Sequence, residues 1–468
     1  MSRYLLLPLA MTAVSASVLP RTPETGAGAA AAPAVAARAP NSAGLLSFPI
    51  VERRTFKGPA TRLRRRDDEA VLYNHTNVAY MIELGLGTPP QQVRVQLDTG
   101  SNELWVDPDC STVTTTASQQ FCESVGTFDP NDSSTLVDGE EYATLAYGRG
   151  TAYIDYVLDN IVVPGSDNTT LKQVQFGVAV SSDDAAVPIC GVGFGKDYNL
   201  EYNNIVDELT LQGVTNSRTL SLALGSATSD NGKEPVSDNI GNGIVIFGGV
   251  DTKKFAGPLY KYTNLPPQSS DPGQPWRYWI QLDSIGFTSP GKTSSSAYSG
   301  SSLPIVLDSG SSLSYLPQTV MDSLAKSFGV KAGSDGSLIV DCDYGAKGGY
   351  IDFTFGSLVI SVPLSDFIWE AEANVCAVGA LPSTDTTALL GDTFLRSAYV
   401  VFDQDHQEIY MAQAANCGSN EQVLSADGNY NLTGECTVQQ KSAAVGLVPT
   451  SAMALFALVG VQALMSFL

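Results

Sequence analysis

The amino-acid sequence predicts a mainly β protein of two lobes, related by a pseudo-twofold axis. The first observation is a repeat, because Val95–Ser101 and Ile305–Ser311 have nearly the same sequence. The second is length, since 468 residues suffice for two separate hydrophobic cores. The third is the even spread of Gly and Pro between short apolar runs, which favours strands over long helices.

Each copy of the repeat is an apolar run that ends in an aspartate, followed by a small hydroxyl residue, Gly and Ser. The apolar run is typical of a buried strand, and the Gly permits a turn that a Cβ would obstruct. The two aspartates, Asp98 and Asp308, are 210 positions apart in chain halves of similar size. We therefore expect the pseudo-twofold arrangement to bring both carboxylates to one centre.

The two copies resemble the two signatures of pepsin-type aspartic peptidases, and in character the chain is similar to secreted or surface-anchored fungal members such as candidapepsins and yapsins. The first signature is Leu97–Val106, and the second is Leu307–Ser312, in which Ser309 replaces the more usual Thr. The similarity extends from Ala79 to Ala415. It implies a bilobal pepsin-like fold with the active-site cleft between the lobes, and hydrolysis of peptide bonds without a cofactor or a metal.

The resemblance makes Asp98 and Asp308 the catalytic pair. Two carboxylates held close together share a proton, so one can activate water while the other donates a proton to the substrate carbonyl. The resemblance also implies supporting roles for residues of both signatures. Gly100 and Gly310 let the loops approach each other and the substrate, and Ser101 and Ser311 are expected to hydrogen-bond the outer carboxylate oxygens.

Other hydrolytic chemistries lack the residues that they need. His75 and His406 are the two histidines of the chain, and neither lies in a motif. A Ser-His-Asp triad needs a histidine beside a nucleophile, and a zinc peptidase motif needs a closely spaced pair. We expect both histidines to be structural or exposed, and no metal to be bound.

A β-hairpin with Tyr147 at its tip is predicted between Tyr142 and Val157. It resembles the peptidase flap, which closes over bound peptide, and its tip contains Gly148 and Arg149. The resemblance implies that Trp105 donates its indole N–H to Tyr147, whereas ordinary packing is the alternative for both aromatic residues. Arg149 departs from the small or acidic residues commoner in the family, and we expect it to favour acidic or polar substrate side chains.

The second half of the internal repeat comprises Pro188–Gly193 and Ala388–Asp392, each an apolar pair before a Gly. In the family these segments pack behind the catalytic loops. Cys190 occupies an apolar position of the motif, so we expect a buried free thiol and not a nucleophile. The resemblance implies the disulfides Cys110–Cys122 and Cys342–Cys376. Cys417 and Cys436 then remain by elimination, and the sequence leaves their pairing open.

The N-terminal region has the features of a secretory signal over residues 1–16 and a propeptide over residues 17–66. The basic run Arg62–Arg66 could mark a nucleic-acid patch or a solvated face, but after a secretory signal a processing site is favoured. Residues 1–66 carry ten basic and two acidic residues, whereas the remainder carries 16 and 46. A cationic propeptide can block an acidic cleft, with Lys57 or a nearby Arg paired with the catalytic carboxylates. The acidic remainder argues against nucleic acid as a partner.

The remaining predictions concern the division of the chain into lobes, its membrane anchor and its glycosylation. The lobes are assigned to residues 67–255 and 256–416, followed by a tail at 417–442. Residues 443–468 end in an apolar stretch that favours a GPI-anchor signal, with attachment near Ser442, over a membrane helix. Glycosylation sites are predicted at Asn74, Asn131, Asn168 and Asn431.

We therefore predict a monomeric aspartic endopeptidase, made as a zymogen, that acts on peptide or protein substrates in acid. It is expected at the cell surface, attached to the plasma membrane or wall, or outside the cell. The alternative is a non-catalytic binding or surface protein on the same fold. Such proteins usually lose an Asp or the flap tyrosine, and this chain keeps all three residues.

Overall fold

The computed structural model describes residues 14–20, 44–53, 72–75, 79–111, 116–148, 150–163, 169–183, 187–225, 244–268, 274–290, 295–298, 302–372, 375–383 and 387–437. Several predicted features lie outside these residues: Lys57, the basic run Arg62–Arg66, Arg149, Asn168, Ser442 and the apolar C-terminal segment. Within the described ranges, no helix has the length and apolar character needed to cross a membrane.

Strands dominate both halves of the chain. The strands before residue 255 are β1 (Val14–Pro20), β2 (Leu46–Arg53), β3 (Leu72–His75), β4 (Ala79–Leu86), β5 (Gln91–Asp98), β6 (Leu104–Val106), β7 (Val137–Ala146), β8 (Thr151–Val163), β9 (Thr169–Asp183), β10 (Ile189–Gly191), β11 (Thr219–Ala223), β12 (Ile244–Phe247) and β13 (Gly249–Asp251). The later strands are β14 (Phe255–Thr263), β15 (Trp279–Leu282), β16 (Ser284–Thr288), β17 (Ser295–Tyr298), β18 (Leu303–Leu307), β19 (Ser314–Leu316), β20 (Ile339–Val340), β21 (Tyr350–Phe355), β22 (Leu358–Pro363), β23 (Ile368–Glu372), β24 (Val375–Val378), β25 (Ala380–Pro382), β26 (Leu389–Leu390), β27 (Ala398–Asp403), β28 (Glu408–Ala414), β29 (Glu421–Val423) and β30 (Thr433–Glu435).

Helices are short and lie between the strands. They are α1 (Thr116–Val125), α2 (Ile205–Leu211), α3 (Gln318–Phe328), α4 (Leu364–Phe367) and α5 (Asp392–Leu395), with 3₁₀ helices at Pro130–Asp132 and Cys342–Lys347. The sequence explains one end of α2 and one end of α3. Asn204 caps α2 by accepting the N–H groups of Val206 and Asp207, and α3 ends at Gly329, whose φ of 74° suits a glycine.

The largest sheet has sixteen strands in the order β1-β7-β8-β9-β6-β10-β5-β4-β3-β2-β12-β11-β27-β28-β14-β30. It contains strands from both halves of the chain, which meet where β11 pairs with β27. Two strands come from the N-terminal region before residue 66. β2 lies between β12 and β3, and β1 pairs with β7, so that Val14 and Ser15 of the predicted signal belong to a strand.

The internal repeat appears as two equivalent groups of three strands. In the first half, β10 is parallel to β5 and antiparallel to β6, with Gly191 opposite Asp98. In the second half, β26 is parallel to β18 and antiparallel to β19. The segments predicted to pack behind the catalytic loops thus pair with the very strands that lead into the two aspartates. The lobe boundary at residue 255 stays a prediction.

The strands around the two aspartates are buried on both faces, because they lie inside the protein and not at its surface. Val93, Val95 and Leu97 of β5 belong to the same apolar cluster as Ile305 and Leu307 of β18. Burying an aliphatic side chain of this size contributes about 1.5–3 kcal/mol to stability. Packing therefore fixes the positions of the strand ends from which the loops with the two aspartates begin.

Three disulfides close local loops: Cys110–Cys122, Cys342–Cys376 and Cys417–Cys436. The third pair is the one that the sequence left open. Cys190 is free and fully buried, and burial raises the pKa of its thiol to about 12.

We predict that one thiol per chain reacts with a thiol reagent after denaturation without reductant, and that the native protein does not react. Burial and the high pKa both keep Cys190 from forming an accessible thiolate. Spectroscopic thiol titration measures this, with Cys190→Ala as the control that should give none. Three thiols in the denatured wild type would contradict one of the three disulfides.

Candidate active site

The structure brings the two signature loops together. Asp98 ends β5, Asp308 follows β18, and both side chains are completely buried. A Cβ on Gly100 would collide with the carboxylate of Asp308, and a Cβ on Gly310 would collide with that of Asp98. Each glycine therefore lies against the aspartate of the other loop, and both carboxylates occupy one centre.

Reciprocal hydrogen bonds between Thr99 and Ser309 hold the two loops in register. The Thr99 N–H donates to Ser309 Oγ at 3.2 Å, and the Ser309 N–H donates to Thr99 Oγ1 at 2.9 Å. Each hydroxyl in turn donates to a carbonyl before the opposite aspartate, Thr99 to Leu307 at 3.0 Å and Ser309 to Leu97 at 2.9 Å. This role was not predicted from the sequence, although the hydroxyl residue after each Asp was the signal for it.

The two carboxylates have unequal sets of donors. Asp98 accepts hydrogen bonds from the Ser101 hydroxyl at 2.5 Å and from the Gly100 N–H at 2.7 Å. Asp308 accepts one from the Gly310 N–H at 2.9 Å, and its Oδ2 has no hydrogen-bond partner among the residues described.

The expected hydrogen bond from Ser311 to Asp308 is not formed, which corrects the prediction for this residue. The Ser311 hydroxyl donates to the Leu313 carbonyl at 2.8 Å. The Leu313 carbonyl, two residues further along the same loop, takes the hydroxyl in place of the carboxylate. The backbone behind the two loops also differs, because the Gly191 N–H donates to the Glu103 carbonyl, whereas the Gly391 N–H donates to Ser314 Oγ.

Burial raises the pKa of both aspartates because it disfavours their charged forms. The hydrogen bonds from Ser101 and Gly100 oppose this rise at Asp98. At Asp308 the negative charge of Asp98 adds to the effect of burial, and its pKa lies well above the usual range. The pair therefore retains one proton at a pH where isolated aspartates have lost theirs.

The flap hairpin is formed by β7 and β8. The Tyr147 N–H donates to the Gly150 carbonyl at 3.0 Å, which closes the tip, and Gly148 is exposed. The Trp105 indole N–H donates to the Tyr147 hydroxyl at 2.7 Å, and both side chains are buried. Burial raises the pKa of Tyr147 well above 10, so this residue stays a neutral phenol that can donate its own proton.

Other predicted residues lie away from this centre. Asn131 and Asn431 are exposed, and Asn74 lies in β3, opposite Tyr80 of β4. His75 also lies in β3, and His406 Nδ1 is 2.9 Å from Asp403 Oδ2.

Comparisons with known proteins agree on one family. A model of that family, described as eukaryotic aspartyl protease, matches residues 79–414. The chain is 33% identical over 384 residues to a probable aspartic-type endopeptidase, opsB, of Aspergillus oryzae, covering 78% of this chain and 74% of that one. It is 31% identical over 392 residues to candidapepsin of Candida tropicalis, with coverages of 80% and 89%. The crystal structure of an aspartic proteinase from Irpex lacteus has a TM-score of 0.56 at 20% identity, covering 73% of this chain and 95% of that one, and supports the fold alone.

We predict that Ser309→Ala lowers the free energy of unfolding by about 1–3 kcal/mol, because the Thr99 N–H and the Leu97 carbonyl lose their buried partner. Ser309→Thr keeps the hydroxyl and should be close to wild type. Urea denaturation measures the difference. Ser323→Ala, which removes a hydroxyl bonded within α3 at an exposed site, is the matched control. A Ser309→Ala variant as stable as this control would contradict the role of the hydroxyl.

A second prediction concerns Asp107, whose carboxylate is buried and has no hydrogen-bond partner in the described part of the chain. Burial raises its pKa to about 7, so the folded state binds a proton that the unfolded state releases near pH 4. Its protonation stabilises the fold in acid, and this contribution is lost as the pH rises towards 7.

The free energy of unfolding of the wild type should fall between pH 4 and pH 7.5 as Asp107 ionises. In Asp107→Asn this fall should be smaller by about 3 kcal/mol. Urea denaturation at the two pH values measures this. Asp335→Asn is the control, because Asp335 is exposed in the second half of the chain and hydrogen bonds from Ser337 lower its pKa. Equal pH dependence in wild type and Asp107→Asn would contradict the assignment.

Proposed function

Because the chain belongs to the eukaryotic aspartyl protease family and is an aspartic endopeptidase, we propose that Asp98 and Asp308 are its catalytic pair. The observation that carries this proposal is the meeting of two buried carboxylates in loops joined by reciprocal hydrogen bonds. The predicted family, fold class and enzyme class are confirmed by the comparisons.

The pair acts on a water molecule between the two carboxyl groups. The ionised carboxylate takes a proton from the water, whose oxygen attacks the peptide carbonyl, and the protonated carboxyl donates its proton to the carbonyl oxygen. In the collapse of the tetrahedral intermediate, the carboxyl that took the proton from water gives it to the leaving nitrogen, the C–N bond breaks, and a hydroxyl of the intermediate returns a proton to the other carboxylate. An amine and a carboxylic acid are released, with no covalent enzyme intermediate. The two donors on Asp98 favour this residue as the ionised member, and the single donor on Asp308 favours it as the acid.

The flap supplies binding and exclusion of water. Tyr147 lies at the tip of a hairpin that can close over an extended peptide, and its contact with Trp105 sets the tip relative to the strand after Asp98. Gly148 gives the tip room to bend. We keep Arg149 as a residue that favours acidic or polar side chains of the substrate.

A propeptide that folds with the enzyme fits the position of β2. This strand comes from the predicted propeptide, residues 17–66, and pairs with β12 and β3 inside the large sheet. The proposal is a zymogen cleaved after Arg66, with lobes at residues 67–255 and 256–416 and a tail at 417–442.

The relatives support a secreted or cell-surface location, since they include a protein named secreted aspartic protease 8 of Candida albicans, 33% identical over 341 residues. We further propose that the chain carries a GPI anchor at Ser442, with residues 443–468 removed. Sugars are proposed on the exposed Asn131 and Asn431, and on Asn74 and Asn168. The protein is proposed to be a monomer. The substrates are peptides or proteins. The binding-protein alternative is disfavoured because both aspartates and Tyr147 are present.

We predict that cleavage of a denatured protein is greatest in acid and falls as the pH rises through the raised pKa of the pair, because the shared proton is then lost. Asp98→Asn and Asp308→Asn should each lower kcat by about 10³-fold or more. The assay uses the secreted protein before and after cleavage at Arg66, with pepstatin inhibition as a control. If the folded wild-type protein cleaved nothing at any pH, this result would favour the alternative of a non-catalytic binding protein.

A further inference from the structure

A buried glutamate in the first signature has no part in the chemistry described above. Glu103 comes five residues after Asp98 and two before Trp105, and its side chain is only 6% exposed. Its Oε2 accepts hydrogen bonds from two tyrosine hydroxyls, those of Tyr156 and Tyr202, the latter at 3.0 Å. A buried carboxylate with two phenol donors is an arrangement that ordinary packing does not require.

The first of these tyrosines belongs to the flap hairpin. Tyr156 lies on β8, nine residues after Tyr147, and its side chain is 2% exposed. In the sheet, Tyr156 is opposite Gly177 of β9, and Gly177 is opposite Trp105 of β6. Residues in one such row project to the same face of a sheet. A Cβ on Gly177 would collide with the side chain of Ile154 and crowd Trp105, so the glycine lets these side chains pack closely over β9.

The flap is consequently attached at two points to a single short stretch after Asp98. Trp105 donates to Tyr147 at the tip, and Glu103 accepts from Tyr156 further down the hairpin. Backbone pairing with β9 already holds β8 at Tyr156, and the two side-chain hydrogen bonds add direct links between the hairpin and the stretch after Asp98. Tyr147, Trp105 and Tyr156 also belong to one apolar cluster, against which Tyr202 packs.

Tyr202 extends the attachment to the segment before α2. Its ring meets that of Tyr156 edge to face at 5.4 Å between centroids. The same segment is fastened to the first signature, because Asn199 Nδ2 donates to Asn102 Oδ1 at 2.9 Å. The carboxylate of Glu103, which lies in the stretch after Asp98, thus connects the flap hairpin with the segment before α2.

We propose that Glu103 is a positioning residue that sets the closed orientation of the flap through the hydrogen bonds that it accepts from Tyr156 and Tyr202. The inference rests on the proposed function, since it assigns to the flap the binding of a peptide substrate. Glu103 does not touch the reacting atoms. Burial raises its pKa and the two tyrosine hydrogen bonds lower it, as expected for an acceptor enclosed with its donors.

The expected kinetic effect lies in KM. The flap contacts bound peptide in the ground state and in the transition state alike, so a loosened flap weakens both equally. Glu103→Leu removes the acceptor and should raise KM about tenfold, with kcat changed less than about twofold. Glu103→Gln keeps an oxygen that accepts from the tyrosines and should stay within about threefold of the wild-type KM.

The test combines kinetics with hydrogen exchange on the secreted protein. KM and kcat are measured for wild type, Glu103→Leu, Glu103→Gln and Tyr156→Phe, with active sites counted by titration with pepstatin. Tyr410→Phe is the matched control, because it removes a buried tyrosine hydroxyl bonded to a glutamate, Glu408 at 2.6 Å, on β28 and away from the flap. Backbone exchange is compared between the flap strands β7 and β8 and the second-half strands β21 and β22.

The proposal is supported if Glu103→Leu and Tyr156→Phe raise KM and speed exchange in β7 and β8 alone, while Glu103→Gln and Tyr410→Phe do neither. The proposal is overturned if Glu103→Leu keeps the wild-type KM, or if Glu103→Leu lowers only the number of active sites that pepstatin titrates. It is also overturned if Glu103→Gln raises KM as much as Glu103→Leu does. The exchange measurement needs no catalysis. An inactive wild type with normal flap exchange effects would therefore count against the proposed function and not against the role of Glu103.

Discussion

The active site depends on holding two carboxylates together in a place from which water has largely been removed. Burial and mutual repulsion both oppose this arrangement, so the loops that carry the aspartates would separate unless other forces joined them. The Thr99 and Ser309 hydrogen bonds supply that force without adding charge. Their partners are backbone groups of the facing loop, so the contact is specific to one relative position of the two halves.

The pseudo-twofold arrangement produces two similar loops, but catalysis needs two different carboxyl groups. The difference lies in the serine of each signature, because Ser101 donates to Asp98, whereas Ser311 donates to the Leu313 carbonyl. The backbone behind the loops differs as well, since the Gly191 N–H donates to the Glu103 carbonyl and the Gly391 N–H to Ser314 Oγ. Two loops of nearly the same sequence thus give their aspartates different surroundings.

The fold class and the meeting of Asp98 with Asp308 could be predicted because an internal repeat constrains both at once. Tyr147 and Trp105 followed from the resemblance to the family. Three features could not be predicted. The Ser311 hydroxyl donates to a carbonyl of its own loop, although both loops share the motif in which Ser101 donates to its aspartate. Glu103 meets Tyr156 only when β8 and β9 align beside β6. The third is the burial of Asp107, since an aspartate close to a disulfide loop is ordinarily exposed.

Strand β2 has a consequence for how the protein comes to be folded. The strand lies between β12 and β3, yet it belongs to a segment that proteolytic maturation is expected to detach. The precursor therefore has an internal template for the middle of its largest sheet, and a chain shortened at Arg66 has a gap there unless the detached piece stays in place. An unpaired sheet edge attracts other strands. If the proposed cleavage after Arg66 occurs and the strand leaves, the mature chain would have to refold without β2, so unfolding after cleavage would be harder to reverse than unfolding before it.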